Sequence, residues 1–228
     1  MPPPTSREEM EHNVYMHTVN NRNFVSRRDI ENLQYILHVG YLYSRRKQGY
    51  KSSSTFSGLD YISLSDFTKK DQTNDGLLYY NAFYSYTRLG IAVSFPKEII
   101  DKNYEVIIPE LLSGVKQEGV IEYNMASLGN GVTRYSDLPD EVQIKDQVAM
   151  KDALYVTYPC TEFLETQFLT RKENKAKKLI HEINELKKVI QYQNYNLDVY
   201  DIDSEILLNE EGIEKVLRLN SIDKIRYK

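Results

Sequence analysis

The pattern of hydrophobic positions predicts short strands through the middle of the chain and helices towards its two ends. Apolar residues recur at helical spacing from Ser26 to Gly40, over about residues 171–191, and again from Asn209. Alternating or continuous apolar runs predict strands at 13–19, 58–65, 90–95, 104–108, 119–123, 141–145 and 153–158, and a short extended piece at 197–203. Clustered strands that do not alternate with helices favour an α+β fold over an alternating parallel one.

One domain with a helical appendage is the organisation that this pattern predicts for the 228 residues. The three prolines near the start predict a flexible leader over residues 1–12. The strands define a body at 13–160, and we expect a helical C-terminal extension at 161–228 that packs on it. Lysines interleave with the apolar stripe of the helix at about 171–191, which is typical of an amphipathic docking helix.

Composition narrows the class of protein. Hydrophobic residues make up 41% and charged residues 27% of the chain, which is ordinary for a globular protein with a real core. The sequence has no apolar run long enough for a membrane span and no apolar signal region, which predicts a cytoplasmic protein without membrane contacts. A single cysteine, Cys160, excludes an internal disulfide and an all-cysteine metal site. The net charge of -4 argues against a protein that coats nucleic acid along its length, but it is compatible with a local basic groove.

The candidate chemistry centres on Glu141, where a polar loop meets a short alternating strand. Val142 and Ile144 share one face of that strand, and Glu141, Gln143 and Lys145 share the other. A carboxylate at such a junction is well placed to stabilise a developing positive charge. An edge strand with a solvated polar face gives the same pattern, so the strand alone does not decide between the two.

Further polar clusters stand on or beside two other predicted strands, namely His17 with Thr18, and Tyr61 with Ser63 and Ser65. Together with Glu141 they suit a nucleoside, because a ring can stack on a base, histidine and hydroxyls can bond ribose, and a carboxylate can stabilise a sugar-centred cation. The sequence has no Ser-His-Asp order, HExxH motif, P-loop or GxGxxG in context. His17 as a rim histidine and Tyr61 as a packing residue are the structural alternatives.

The order of these segments resembles the ADP-ribosyltransferase fold. The matching motifs are His17-Thr18, then Glu31-Asn-Leu-Gln-Tyr-Ile-Leu-His-Val-Gly40, then Leu59-Asp-Tyr-Ile-Ser-Leu-Ser65, and then Asp140-Glu-Val-Gln-Ile-Lys145. Within that fold the chain most resembles the bacterial toxin-type enzymes related to DarT, which modify nucleic acid. The resemblance covers roughly residues 13–158. It implies split antiparallel sheets with an early helix and a helical extension at the C-terminus.

The activity that the resemblance implies is that of an NAD-dependent mono-ADP-ribosyltransferase, a glycosyltransferase that cleaves NAD and passes ADP-ribose to an acceptor. Glu141 would be the catalytic residue and would orient the nicotinamide ribose and the nucleophile. The residues that would bind NAD are His17 and Thr18 at the ribose and amide, Tyr61 or Ser63 at the second motif position, and Ser44 and Arg45, with Arg46, at the phosphates. No metal is implied.

The acceptor and the further partners follow from the same resemblance. Families that modify protein arginine usually carry Gln or Glu two residues before the catalytic glutamate, whereas this chain has Pro139 there. The departure disfavours arginine and leaves nucleic acid (DNA or RNA) or another protein side chain as the acceptor. The implied role is that of a bacterial or phage-related toxin, effector or defence enzyme, with an antitoxin or other regulatory protein as a partner.

A non-catalytic binding module on a similar scaffold is the alternative. It would dock a partner through a tyrosine-rich surface, since the chain has nineteen tyrosines, and through the basic C-terminal helix. The two hypotheses differ in whether Glu141 is needed for NAD cleavage or the segment 170–228 is needed for partner binding.

Overall fold

The computed structural model describes residues 6–19, 27–49, 60–69, 90–107, 141–166 and 171–220, which hold nine strands and five α-helices. The strands are β1 (Val14–Thr18), β2 (Tyr41–Tyr43), β3 (Tyr61–Asp66), β4 (Ala92–Pro96), β5 (Val106–Ile107), β6 (Glu141–Lys145), β7 (Gln147–Ala149), β8 (Tyr155–Tyr158) and β9 (Asp198–Asp201). The helices are α1 (Arg27–Val39), α2 (Lys97–Asn103), α3 (Cys160–Thr166), α4 (Lys172–Tyr192) and α5 (Glu210–Leu219).

Two sheets organise these strands. Seven strands form one sheet in the order β5-β6-β3-β1-β4-β8-β9, and β2 pairs with β7 in a separate ribbon. Every pairing in the large sheet is antiparallel except β8 with β9, which run parallel. The predicted α+β class with a divided, mostly antiparallel sheet arrangement is therefore confirmed.

One side of the large sheet, the helix face, carries the main core. Tyr15, Leu64, Val93 and Val156 lie on this face and pack in one cluster with apolar residues of all five helices. The predicted stripes account for this packing, because Ile30, Leu33 and Leu37 of α1 and Ala176, Leu179, Ile183, Leu186 and Ile190 of α4 are buried. Each fully buried leucine or isoleucine stabilises the fold by roughly 1.5–3 kcal/mol.

The opposite side, the outer face, carries a second and smaller core. Val14, Met16, Ala92, Tyr155 and Tyr200 are buried there. These strand residues cluster with side chains from outside the strands, namely Met10, Phe67 and Ile202. Strand alternation explains the division, because Met16 and Tyr15 are neighbours in β1 and point to opposite sides of the sheet.

Residues 6–12, the N-terminal strap, contact the outer face through hydrogen bonds and one buried methionine. The Arg7 N–H donates to Asp198 Oδ2 over 3.0 Å, and the Tyr200 hydroxyl donates to the Arg7 carbonyl over 2.7 Å. The Tyr155 hydroxyl donates to the Glu11 carbonyl over 2.7 Å, and Met10 is buried. Two buried tyrosines thus satisfy their hydroxyls on the strap backbone.

The C-terminal part also differs from a purely helical extension. Its extended piece, predicted at 197–203, is β9, and this strand joins the large sheet beside β8. Helix α5 begins as expected, because the Asn209 side chain accepts a hydrogen bond from the Gly212 N–H over 2.7 Å. No helix in the described part of the chain is long and apolar enough to cross a membrane.

Several short elements were not predicted. Helices α2 and α3 have seven residues each, which is too few for a helical period to stand out. Strands β2 and β7 are three residues long, which is too short for an alternating pattern to stand out. The strand predicted at 119–123 lies outside the described residues.

Candidate active site

The strand register brings most of the predicted site positions onto the outer face. In the β3–β6 pair, Ser65 lies opposite Glu141 and Ser63 lies opposite Gln143. In the β1–β3 pair, Met16 lies opposite Ser65. Thr18 follows Met16 by two residues and so shares its side of the sheet. We call seven of the outer-face positions of β6, β3 and β1 the hydroxyl side: Glu141, Gln143, Tyr61, Ser63, Ser65, Met16 and Thr18.

Ser65 is the most informative residue of the hydroxyl side. Its side chain is 2% exposed, and its Oγ has no hydrogen-bond partner among the described residues. A buried hydroxyl without a partner costs free energy, so the Ser65 Oγ is a candidate contact for a ligand or for a neighbouring side chain. Residues directly opposite each other in an antiparallel pair have Cβ atoms about 4.5–5.5 Å apart. Ser65 is therefore the nearest cross-strand neighbour of position 141.

His17 lies on the other side of β1 from Thr18. Its Nδ1 is 2.9 Å from the Ser63 carbonyl oxygen, which can only accept, so Nδ1 carries the hydrogen. Burial lowers the pKa of His17, and the bond to Ser63 opposes part of that effect. The ring is thus neutral near pH 7, and its Nε2 is an acceptor. The predicted His17–Thr18 pair is not brought to one side of the sheet, and the NAD-binding role of each residue stays a prediction.

Ser44 and Arg45 stand at the far end of β6 from Glu141. Ser44 is buried, and its N–H donates to the Asp146 carbonyl over 2.8 Å, just beyond Lys145. Four residue steps along a strand separate positions 141 and 145, or roughly 13 Å. Arg45 is half-buried, and Arg46 forms an ion pair with Asp60. The structure thus brings these residues close to the Tyr61 end of β3 and not close to Glu141.

A partly buried ion pair connects the ends of two strands beside Ser65. Asp66 Oδ2 accepts from Lys97 Nζ over 2.8 Å, and Asp66 Oδ1 accepts from the Thr68 hydroxyl over 2.6 Å. Lys97 Nζ also lies 5.0 Å from the centre of the Tyr15 ring, whose hydroxyl donates to Asp101 Oδ1 over 3.0 Å. Burial raises the pKa of Tyr15 well above its usual value. Asp66 and Lys97 link the ends of β3 and β4, and β1 lies between these two strands.

The comparisons with known proteins give two similar structures. No protein-family model and no curated protein sequence matches the chain. The structure of Thermus sp. 2.9 DarT in complex with carba-NAD+ has 9% sequence identity and a TM-score of 0.41, with 86% of this chain and 99% of that chain covered. Thermus sp. 2.9 DarT in complex with NAD+ has 10% identity and a TM-score of 0.34, with 78% and 92% covered.

Sequence reasoning missed some residues beside the candidate site. Nothing in the sequence connects Asp66 with Lys97, since they are 31 residues apart. Gln143 was assigned only to the polar face of its strand, yet it is 8% exposed, which makes it a buried amide. Within the described ranges, no three His, Cys, Asp or Glu side chains form a group that could hold a metal ion.

Proposed function

We propose that this chain is a mono-ADP-ribosyltransferase that cleaves NAD and transfers ADP-ribose to a nucleic acid. The observation that carries the proposal is the row formed by position 141, Ser65 and Met16, in which a buried hydroxyl without a described partner lies directly opposite the backbone position of a glutamate. Ser63 and Thr18 extend the same surface with two further hydroxyls. The motif order that resembles the ADP-ribosyltransferases supports the same assignment.

The reaction breaks the bond between the nicotinamide nitrogen and C1′ of the ribose. The bonding electrons leave with nicotinamide, and positive charge develops on C1′ and the ring oxygen. An acceptor oxygen or nitrogen then bonds to C1′ and loses its proton. In our proposal, the Glu141 carboxylate stabilises the sugar-centred charge through a ribose hydroxyl and receives the acceptor proton.

The neighbouring hydroxyls have supporting roles in the proposal. Ser65 donates to the Glu141 carboxylate or to a ribose hydroxyl, which would supply the partner that its buried Oγ lacks. Thr18 and Ser63 bond the ribose, and Tyr61 stacks on the nicotinamide ring. His17 lies on the other side of β1, so this proposal assigns it no contact with the ligand.

The test is release of nicotinamide from NAD by the purified chain, followed by NAD-dependent labelling of DNA, RNA and protein in separate reactions. We expect nicotinamide release from the wild-type chain and labelling of a nucleic acid. Glu141→Gln removes the negative charge with little change of shape, and Glu105→Gln is a matched control at an exposed carboxylate. Equal activity in wild type and Glu141→Gln would exclude Glu141 as the catalytic residue.

The biological part of the proposal is a toxin or effector role in a bacterial cytoplasm, restrained by an antitoxin or other regulatory protein. Its test is induced expression in bacteria. We expect growth arrest with the wild-type chain and normal growth with Glu141→Gln at equal protein levels. Growth arrest by both the wild-type chain and Glu141→Gln would show that any toxicity does not depend on the NAD reaction.

A further inference from the structure

The large sheet has a short junction between β1 and β3. The register of this pair spans only Tyr15 with Asp66 and Met16 with Ser65, whereas the β1–β4 and β3–β6 pairs each extend over five positions. A short ladder joins its strands through fewer backbone hydrogen bonds. The sheet therefore consists of two halves, β5-β6-β3 and β1-β4-β8-β9, which meet at this junction.

Side chains supplement the junction at both of its ends. At one end, the Nδ1–H of His17 donates to the Ser63 carbonyl over 2.9 Å, at a position beyond the ladder of β1 and β3. At the other end, Lys97 contacts both halves. Its Nζ donates to Asp66 Oδ2 of β3 over 2.8 Å, and its N–H donates to the carbonyl of Asn13, the residue before β1, over 3.1 Å. The ion pair of Asp66 and Lys97 thus spans the junction, and we call this pair the clamp.

The clamp and Ser65 lie on opposite sides of the sheet. Asp66 follows Ser65 in β3 and lies opposite Tyr15, whose side chain packs in the main core on the helix face. The side chains of Asp66 and Lys97 are 4% and 21% exposed, so salt screens their interaction less than it screens a surface pair. Because the sheet separates the clamp from the outer face, neither charge contacts a ligand there. An effect of the clamp on the reaction must therefore pass through the backbone of β3.

We propose that Asp66 and Lys97 are positioning residues, because the clamp fixes the two halves of the sheet and thereby the place of Ser65. Ser65 belongs to one half and Thr18 to the other, so a ribose that contacts both requires a fixed distance between the halves. A displacement of about 1 Å is enough to weaken a catalytic contact. The effect on the rate rests on the proposed function, whereas the effect of the clamp on the junction does not require NAD.

The first test is amide hydrogen exchange without NAD in Lys97→Met, which keeps the apolar stem of the side chain and removes the charge. We expect a peptide that covers β3 to exchange at least about tenfold faster than in the wild-type chain, because the junction opens more often. A peptide that covers β8, inside the other half, should be unchanged. Lys188→Met is the matched control, since Lys188 forms an ion pair of 2.7 Å with Glu185 on the exposed side of α4. Equal exchange of β3 in Lys97→Met and the wild-type chain would overturn the proposal.

The second test is nicotinamide release in a double-mutant cycle of Lys97→Met and Ser65→Ala. If Lys97 acts through Ser65, its replacement should cost no more than the loss of the Ser65 hydroxyl, which is about tenfold. We therefore expect Lys97→Met to lower kcat by about three- to tenfold in the wild-type background and by less than about twofold in the Ser65→Ala background. Equal factors in the two backgrounds would show a purely structural role and would overturn the positioning role.

Two further variants keep the tests decisive if Lys97→Met fails to fold. Lys97→Arg retains a cation that can pair with a carboxylate, and we expect its exchange and kcat to stay within about twofold of the wild-type values. Asp66→Asn removes the charge but keeps an oxygen that can accept from the Thr68 hydroxyl, and we expect it to lower kcat as Lys97→Met does. A wild-type kcat in folded Asp66→Asn would contradict the positioning role. If the wild-type chain releases no nicotinamide, the proposed function fails and the positioning role fails with it, whereas hydrogen exchange still decides whether the clamp fixes the junction.

Discussion

The two ends of the outer face of the large sheet share strand alternation but carry different kinds of residue. On β8 and β9, Tyr155 and Tyr200 are fully buried and donate their hydroxyls to the backbone of the N-terminal strap. On β3, the hydroxyl of Ser65 is equally buried but has no partner among the described residues. The two tyrosine hydroxyls are satisfied by the strap backbone, whereas the hydroxyl of Ser65, like that of Thr157 on β8, has no partner among the described residues.

The contrast also shows in the size of the side chains. The strapped side is filled by Met10, Tyr155 and Tyr200, with Phe67 and Ile202 in the same cluster. The hydroxyl side carries Ser63, Ser65 and Thr18, whose side chains are much smaller. A sheet surface that packs protein and a sheet surface suited to a ligand can therefore lie on neighbouring strands. The following experiments test whether the two sides are separable.

The largest expected effect is the loss of reaction rate when Glu141, on the hydroxyl side, is replaced. We expect Glu141→Gln to lower the rate of nicotinamide release by about 10³-fold, because the neutral amide cannot stabilise a developing positive charge. We expect its denaturation midpoint to stay within the range of the Glu105→Gln control. The measurement is NAD turnover together with urea unfolding. If Glu141→Gln lost activity only because it unfolds, the result would not separate an effect on the reaction from an effect on stability.

The next effect belongs to the strapped side and concerns stability. Met10 is 7% exposed, so Met10→Ala is expected to lower the free energy of unfolding by about 2–5 kcal/mol. Tyr35→Ala, at an exposed helix position, is the control and should change it little. At a temperature where all variants are folded, NAD turnover should match wild type. Reduced turnover in folded Met10→Ala would show that the strap contributes to the hydroxyl side.

Ser65 and Ser94 lie on either side of Met16 in the same row across the sheet, so they can be compared directly. Ser94 lies opposite Met16, and its Oγ both donates to the Tyr155 carbonyl and accepts from the Tyr155 N–H, each over 3.0 Å. Ser94→Ala should destabilise the fold by about 1–3 kcal/mol and leave folded activity unchanged. Ser65→Ala should leave stability nearly unchanged but lower the rate about tenfold, the effect of one hydrogen bond to a charged group.

The measurements for this pair are urea unfolding and NAD turnover on the same samples. The comparison fails if both alanine variants change the same quantity. In that case the Ser65 hydroxyl is either satisfied within the protein, as that of Ser94 is, or has no effect on the reaction.

The fold was largely predictable where the information is local. The alternation of Glu141 to Lys145 gave the bounds of β6, and the apolar spacing after Ser26 gave α1. These features depend on residues a few positions apart, which is the range that strand and helix periods cover. The side of the sheet on which Val142 and Ile144 lie also followed from the sequence.

The remaining features depend on contacts between distant residues. The pairing of β2 with β7 joins Tyr43 to Gln147, and the strap joins Arg7 to Asp198. No period in the sequence reports such contacts. His17 illustrates the limit for the site, because adjacent strand residues point to opposite sides and the order His17-Thr18 suggested one cluster. Only the register of β1, β3 and β6 shows that Thr18 lies on the same side of the sheet as Ser65, and that His17 lies on the other side.

The smallest expected effect is on the pH dependence of stability, and it tests whether His17 is separated from the hydroxyl side. Burial lowers the pKa of His17 below its unfolded value of about 6.5, so the unfolded chain takes up the proton first as the pH falls. The stability that depends on neutral His17 is fully present above about pH 6.5 and is lost as the pH falls from there to the folded pKa. We expect His17→Gln, whose amide can still donate to the Ser63 carbonyl, to flatten the urea-unfolding profile over that interval. An unchanged pH profile in His17→Gln would contradict the assignment of His17 as a buried and neutral residue.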